Sequence, residues 1–342
     1  MNSLKTDKLY ELDYIRVMAC LAVMILHITA TGVTGYINGS IPQIVMLTIN
    51  LGLKFVTPLF IFLSGVTSFY SYKKQEFEYM PYVARRLSKV LLAYLVWCII
   101  YYAAFIKFGY TTFDIWAFIE GVFLGTLSYH LYFVIIIVQL YFVGPIFYKL
   151  LKNSNKKIIV LIVSAIISVL CAEYIRFENS DRLFLKYMFF YILGIYVFLE
   201  YDRYISWIIK NKTLISIGYI TLLIPYILVS YYNLSIYISV WYAFSTCSIF
   251  FVYYVGLIMK KNLYKIFGYI KVFSQNSYQM YLMHPFILTL MIVFTENNGI
   301  LSVTMRLIIY SVVVIPATII ASVIFTAVRN KIKKNKKAAL AA

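Results

Sequence analysis

Ten long apolar runs leave this chain few folds to choose from. They cover roughly residues 14–33, 44–70, 88–107, 130–151, 157–176, 183–200, 213–231, 236–259, 273–295 and 301–328. About 20 apolar residues are what a helix needs to cross the hydrocarbon of a bilayer. In that medium each backbone N–H and C=O must be satisfied within its own segment, which helices achieve and open sheets do not. The expected fold class is an all-α polytopic membrane protein of about ten transmembrane helices. Residues 112–128, "TFDIWAFIEGVFLGTLS", are too polar to span and are expected along the interface. No internal repeat is visible, which disfavours a transporter built from duplicated halves.

Composition agrees. The chain is 63% hydrophobic and 13% charged, where a soluble domain carries about 25% charged residues. Its net charge of +18 would suit nucleic acid only if the cations lined one wet face. They sit instead in short islands between apolar runs, so no nucleic-acid partner is expected. Cys20, Cys98, Cys171 and Cys247 all fall inside apolar runs with no paired spacing, which argues against a disulfide framework or a metal site. No small-residue cleavage site follows the first run, so it reads as a retained helix. Residues 1–330 read as one transmembrane domain. Residues 331–342 read as a basic cytoplasmic tail, whose final "AALAA" after "KIKKNKK" looks like an added remnant.

The cations also orient the chain. Of its 31 Lys and Arg residues, 24 fall in the loop set that contains both termini. The opposite loops hold Lys107, Arg176, Arg182, Lys186 and Arg306, and Arg16 and Lys54 lie inside helices. By the positive-inside rule both termini are expected in the cytoplasm, as an even number of spans requires.

Within the first span, "DYIRVMACLAVMILHITATG", Arg16 and His27 are eleven residues apart. On a helix that is ~16 Å of rise and only ~20° of rotation, so both side chains share one face. An arginine at a helix end can simply snorkel to the interface. A membrane histidine can be a packing residue bonded to a neighbour. Ionisable groups in hydrocarbon are nevertheless costly, and two on one stripe favour a functional pathway. Asp13, one turn before Arg16, is placed to orient it.

These residues resemble the acyltransferase 3 family of bacterial integral-membrane O-acyltransferases. Arg16 to His27 is similar to the family's R-x10-H signature, with Asp13 at its common acidic position. "TPLFIFLSGVTSF" resembles the second-helix segment through Pro58, Phe60, Ser64 and Gly65. "ARRLSKVLLAY" resembles the cytoplasmic basic block through Arg85, Arg86 and Lys89, with lysine for the last arginine and no proline. "HLYFVIIIVQLYFVGPIF" resembles the fourth-span segment, with Tyr132 in place of tryptophan and no glutamate. "SYQMYLMHPFIL" matches through Tyr281, Leu282 and His284. The resemblance covers nearly the whole chain. It extends to the branch concerned with poly-N-acetylglucosamine intercellular adhesin, whose members are described as exporters or O-succinyltransferases.

The resemblance implies transfer of an acyl group, acetyl or succinyl, from cytoplasmic acyl-CoA to a hydroxyl of an extracytoplasmic glycan or lipid-linked sugar. Acyl-CoA would be a donor substrate, with no tightly bound cofactor and no metal. The implied location is the bacterial cytoplasmic membrane. His27 is the expected general base, since an imidazole suits proton transfer near neutral pH. Arg16, Arg85, Arg86 and Lys89 are expected to hold the donor phosphates, although a basic loop is also a plain positive-inside anchor. Lys54 lies inside the second span, where Pro58 frees its carbonyl; it is expected to meet a donor phosphate or acyl carboxylate, or an acidic partner such as Glu173. Ser64, His130, Tyr281 and His284 are expected in supporting or acceptor-binding positions, and helix packing or an aromatic belt explains each as well. Gln139 reads as a packing residue, and Gly65 and Gly194 as points of close helix approach. A membrane exporter of a polysaccharide or lipid-linked sugar is the alternative class.

Overall fold

The structure is a computed structural model describing residues 9–72 and 77–341. Lys5, Lys8, Lys73 and Lys74 lie outside the described residues, as do the side chains of the basic tail from 332 onward. The described residues form thirteen α-helices, short 3-10 turns and no strand. In chain order these are α1 (Glu11–Gly35), α2 (Ile41–Leu53), α3 (Val56–Ser68), α4 (Tyr79–Lys107), α5 (Ile115–Leu124), α6 (Tyr132–Asn153) and α7 (Lys157–Tyr174). They continue with α8 (Met188–Leu199), α9 (Tyr201–Lys210), α10 (Lys212–Tyr231), α11 (Tyr237–Asn262), α12 (Phe267–Asn297) and α13 (Val303–Ala341).

Among the described residues nine segments are long and apolar enough to cross a membrane, α2 and α3 counting as one. The chain is a polytopic membrane protein. The expected run 183–200 is the exception in length. It opens with 3-10 turns at Ser180–Arg182 and Phe184–Lys186, and its helix α8 is 12 residues long. That is about 18 Å, short of the ~30 Å hydrocarbon core. Nearly all of α8 is buried, which explains an apolar run with no amphipathic period. The expected run 44–70 is broken at Lys54 and Phe55. Pro58 then falls in the first turn of α3, where its missing N–H costs no helical bond. Residues 115–124 form α5, which leaves Trp116 and Phe123 exposed. Asp114 caps it by accepting from the amides of Trp116 at 2.8 Å and Ala117 at 3.2 Å, and Gly125 ends it at φ 68°.

Two compact units divide the chain: residues 1–53 with 255–342, and residues 54–254. In the first, α1 packs on α2, α12 and α13. Helices α1 and α12 run parallel, because their contacts climb together: Asp13 with Ser274, Cys20 with Ser277, His27 with His284. The start of α1 is tied down by Glu11, fully buried and 2.9 Å from Lys260 Nζ, and by Tyr14, whose hydroxyl donates to the Leu263 carbonyl at 3.1 Å. Near its other end Ile28 joins Leu288, Tyr310 and Val314 in an apolar core.

The second unit is centred on the pair α3 and α8. Gly65 and Gly194 face each other there. A Cβ on Gly65 would stand 2.2 Å from the Tyr191 carbonyl oxygen, and one on Gly194 would stand 2.2 Å from the Phe62 carbonyl oxygen. Only hydrogen fits between these backbones, as small-residue packing in membranes requires. Next to this crossing Tyr191 donates to Ser68 at 2.9 Å and meets the Tyr82 hydroxyl at 3.2 Å, so the polar tips of buried rings satisfy one another.

Candidate active site

The polar groups of the first unit gather along the α1–α12 seam. Asp13 Oδ1 accepts from the Ser274 hydroxyl at 2.6 Å and lies 3.4 Å from Arg16 Nη1. That carboxylate therefore bridges the two helices while orienting the guanidinium. At the far end of the stripe the His27 and His284 rings stand 5.3 Å apart between centroids, tilted 31°. His284 is 1% exposed and its Nδ1 lies 3.0 Å from the Met280 carbonyl. His27 is half-buried. Tyr281 packs 6.2 Å from the His284 ring. Pro285, inside α12, has no amide to bond the Tyr281 carbonyl, so that helical bond is missing beside the histidine pair.

Asn50 on α2 completes this end. Its side-chain amide donates to the Leu26 carbonyl at 2.7 Å and to Thr29 Oγ1 at 3.2 Å, holding the turn that carries His27. Neither Asn50 nor Ser274 is singled out by spacing or periodicity. The dense polar string "SQNSYQ" in α12 was the available signal: Ser274, Asn276 and Gln279 are all buried. Among the described residues Asn276 Oδ1 has no hydrogen-bond partner, although its amide donates to Val272 at 2.7 Å.

The remaining candidates lie in the second unit. Arg85 and Lys89 are exposed on α4, with the Arg85 guanidinium 5.0 Å from the Tyr72 ring centre. Arg86 turns inward. It donates to the Thr67 carbonyl near the C-terminus of α3 and lies over the Tyr82 and Tyr141 rings at 5.9 and 5.7 Å. A cation on a helix's last carbonyls stabilises that end, so Arg86 has a structural duty whatever else it binds. Lys54 is half-buried at the α2–α3 break, with no carboxylate partner among the described residues; Glu173 pairs with Arg176 at 3.0 Å.

Ser64 Oγ is buried without a hydrogen-bond partner among the described residues. His130 is buried, its Nδ1 3.2 Å from the Ser128 hydroxyl and its ring 5.3 Å from Tyr101. Gln139 clamps the loop before α8, donating to the Arg182 carbonyl at 2.8 Å and accepting from the Phe184 amide at 3.2 Å.

A polytopic chain whose first helix sets a guanidinium and an imidazole on one stripe, with a second, buried imidazole beside the first, is a membrane protein that carries ionisable groups within its apolar helices. The chain belongs to the acyltransferase 3 family, whose model, an acyltransferase domain, matches residues 9–327. It is similar to the probable poly-beta-1,6-N-acetyl-D-glucosamine export protein of Staphylococcus aureus strain MRSA252, at 23% identity over 84% of each chain. The protein of the same description from strain N315 is similar to the same extent. No solved structure matches the chain significantly.

Proposed function

We propose that this protein is a membrane O-acyltransferase that moves an acetyl or succinyl group from cytoplasmic acyl-CoA to a hydroxyl of an extracytoplasmic glycan. The observation that carries the reading is the His27–His284 pair at 5.3 Å, on the same α1 face as an arginine oriented by Asp13. Both termini would lie in the cytoplasm if α8, with the 3-10 turns before it, makes a tenth crossing beside the nine longer segments. Arg16 would then meet the donor phosphates at the inner leaflet, and the thioester arm would extend along ~16 Å of helix towards His27.

In the transfer step the acceptor hydroxyl gives its proton to His27 as its oxygen attacks the thioester carbonyl. The C–S bond breaks, CoA leaves as a thiol on taking up that proton, and the glycan ester forms. His284 would support the acyl carbonyl or the acceptor beside it. Arg85, Lys89 and Lys54 are the further cations proposed to meet the anionic donor. Arg86 is the weakest candidate of that group, being committed to the α3 carbonyl and two tyrosine rings.

The test is label transfer. Purified protein given labelled acetyl-CoA or succinyl-CoA with a poly-N-acetylglucosamine acceptor should esterify the glycan, and His27→Ala should not. Equal labelling by both, or none by either, overturns the reading. The name of the staphylococcal relatives favours a second reading, export of a polysaccharide. An exporter moves glycan into or out of vesicles with no acyl donor present.

A further inference from the structure

Outside the α1–α12 seam, the second unit holds a polar cavity of about 320 Å³ where the 154–156 loop meets the end of α8 and the start of α9. Three cations line it, Lys156, Lys157 and Arg203, against one carboxylate, Glu200. Lys157 binds that carboxylate, so the acid is already neutralised. Lys156 and Arg203 make no ion pair among the described residues and are exposed. The cavity therefore carries two uncommitted positive charges and suits an anion.

What lies beside the cavity identifies the anion's source. Its other wall is Ile158 and Ile159, both exposed at the first turn of α7, and the apolar face continues through exposed Ile162 and Ile166. Helix α7 is a membrane-crossing segment with little of its surface buried in the protein, so this face meets acyl chains. Helix α9 carries exposed Arg203 and Lys210 with half-open Trp207, over buried Tyr204 and Ile208, the pattern of a helix at headgroup depth. A free phosphate would use the cations and ignore the isoleucines. We propose that this cavity binds an anionic phospholipid, its phosphate between Lys156 and Arg203 and one chain along Ile158, Ile159 and Ile162. Basic pockets of this kind bind charged headgroups beside transmembrane helices. The inference rests on the membrane-spanning fold and is independent of acyl transfer.

The experiment uses the full chain in nanodiscs of phosphatidylcholine doped with phosphatidylglycerol, with retained lipid read by native mass spectrometry. Wild type should keep phosphatidylglycerol selectively. Lys156→Gln with Arg203→Gln should lower retention about tenfold. Lys210→Gln with Lys212→Gln, an equal charge loss outside the cavity lining, should leave retention near wild type. Glu200→Gln frees Lys157 and should raise retention, a sign that general destabilisation would not produce. Soluble glycerol phosphate should fail to displace the lipid. Equal effects of the two double variants, no preference over phosphatidylcholine, or displacement by glycerol phosphate would each overturn the assignment.

Discussion

The hydroxyl of Ser274 on α12 donates to Asp13 on α1 at 2.6 Å. This one bond links two helices 261 residues apart in sequence and lets the same carboxylate oxygen orient Arg16 at 3.4 Å. Ser274→Ala should therefore leave the fold intact while loosening the guanidinium. A hydrogen bond to a charged group is worth about 1.5–3 kcal/mol. The expected outcome is a several-fold rise in KM for the acyl donor with a smaller change in kcat. Steady-state kinetics against donor concentration checks it; an unchanged KM would remove Ser274 from the arrangement.

Lys54 offers a test in which stability and activity move oppositely. It is half-buried within a membrane segment and gains no carboxylate partner among the described residues. Such a charge is costly in hydrocarbon. Lys54→Met should hold or raise the melting temperature in detergent while lowering acyl transfer. A lower melting temperature with full activity would assign the ammonium to the fold instead.

The contact of Gly65 with Gly194 allows no side chain. Replacing either by leucine drives carbon atoms into a carbonyl that a single Cβ would approach to 2.2 Å. Overpacking of this kind costs about 1–3 kcal/mol when the surroundings can relax, and backbone against backbone relaxes least. Gly194→Leu should lower the melting temperature clearly or abolish accumulation in the membrane. Gly109→Ala, whose added Cβ meets nothing within 4 Å, is the comparison and should cost only the strain of φ 74°.

At the start of α1, Lys260→Ala leaves the fully buried Glu11 carboxylate without its 2.9 Å partner. The ammonium itself reaches solvent, which tempers the loss to about 1–2 kcal/mol. Glu11→Gln with Lys260→Ala should recover part of it, and a thermal double-mutant cycle reads the coupling. Additive single effects would show that the pair contributes nothing.

Much of this was legible in the sequence, for identifiable reasons. Hydropathy marks where helices cross because the bilayer demands length and apolarity of each segment alone. The Arg16–His27 stripe follows from helix geometry, and the α2–α3 break is hinted by Pro58. What could not be read is whatever depends on a distant partner. Ser274 is one serine among many until α12 lies parallel to α1, and Asn50 matters only because Leu26 and Thr29 come to it. Helix α8 is shorter than the run 183–200 because that run opens with 3-10 turns, and hydropathy marks an apolar run without showing where its helix is regular. Arg86 sat in a basic block that promised phosphate, yet its first commitments are a carbonyl and two rings.

The central claim is acyl movement across the bilayer through His27. Proteoliposomes with labelled acyl-CoA on the cytoplasmic side and glycan acceptor on the other measure it directly. The account predicts ester label on the glycan, cut about 10²–10⁴-fold by His27→Ala in protein that keeps its melting temperature. Glycan that stays unlabelled with wild type, or is labelled equally by the variant, would contradict it.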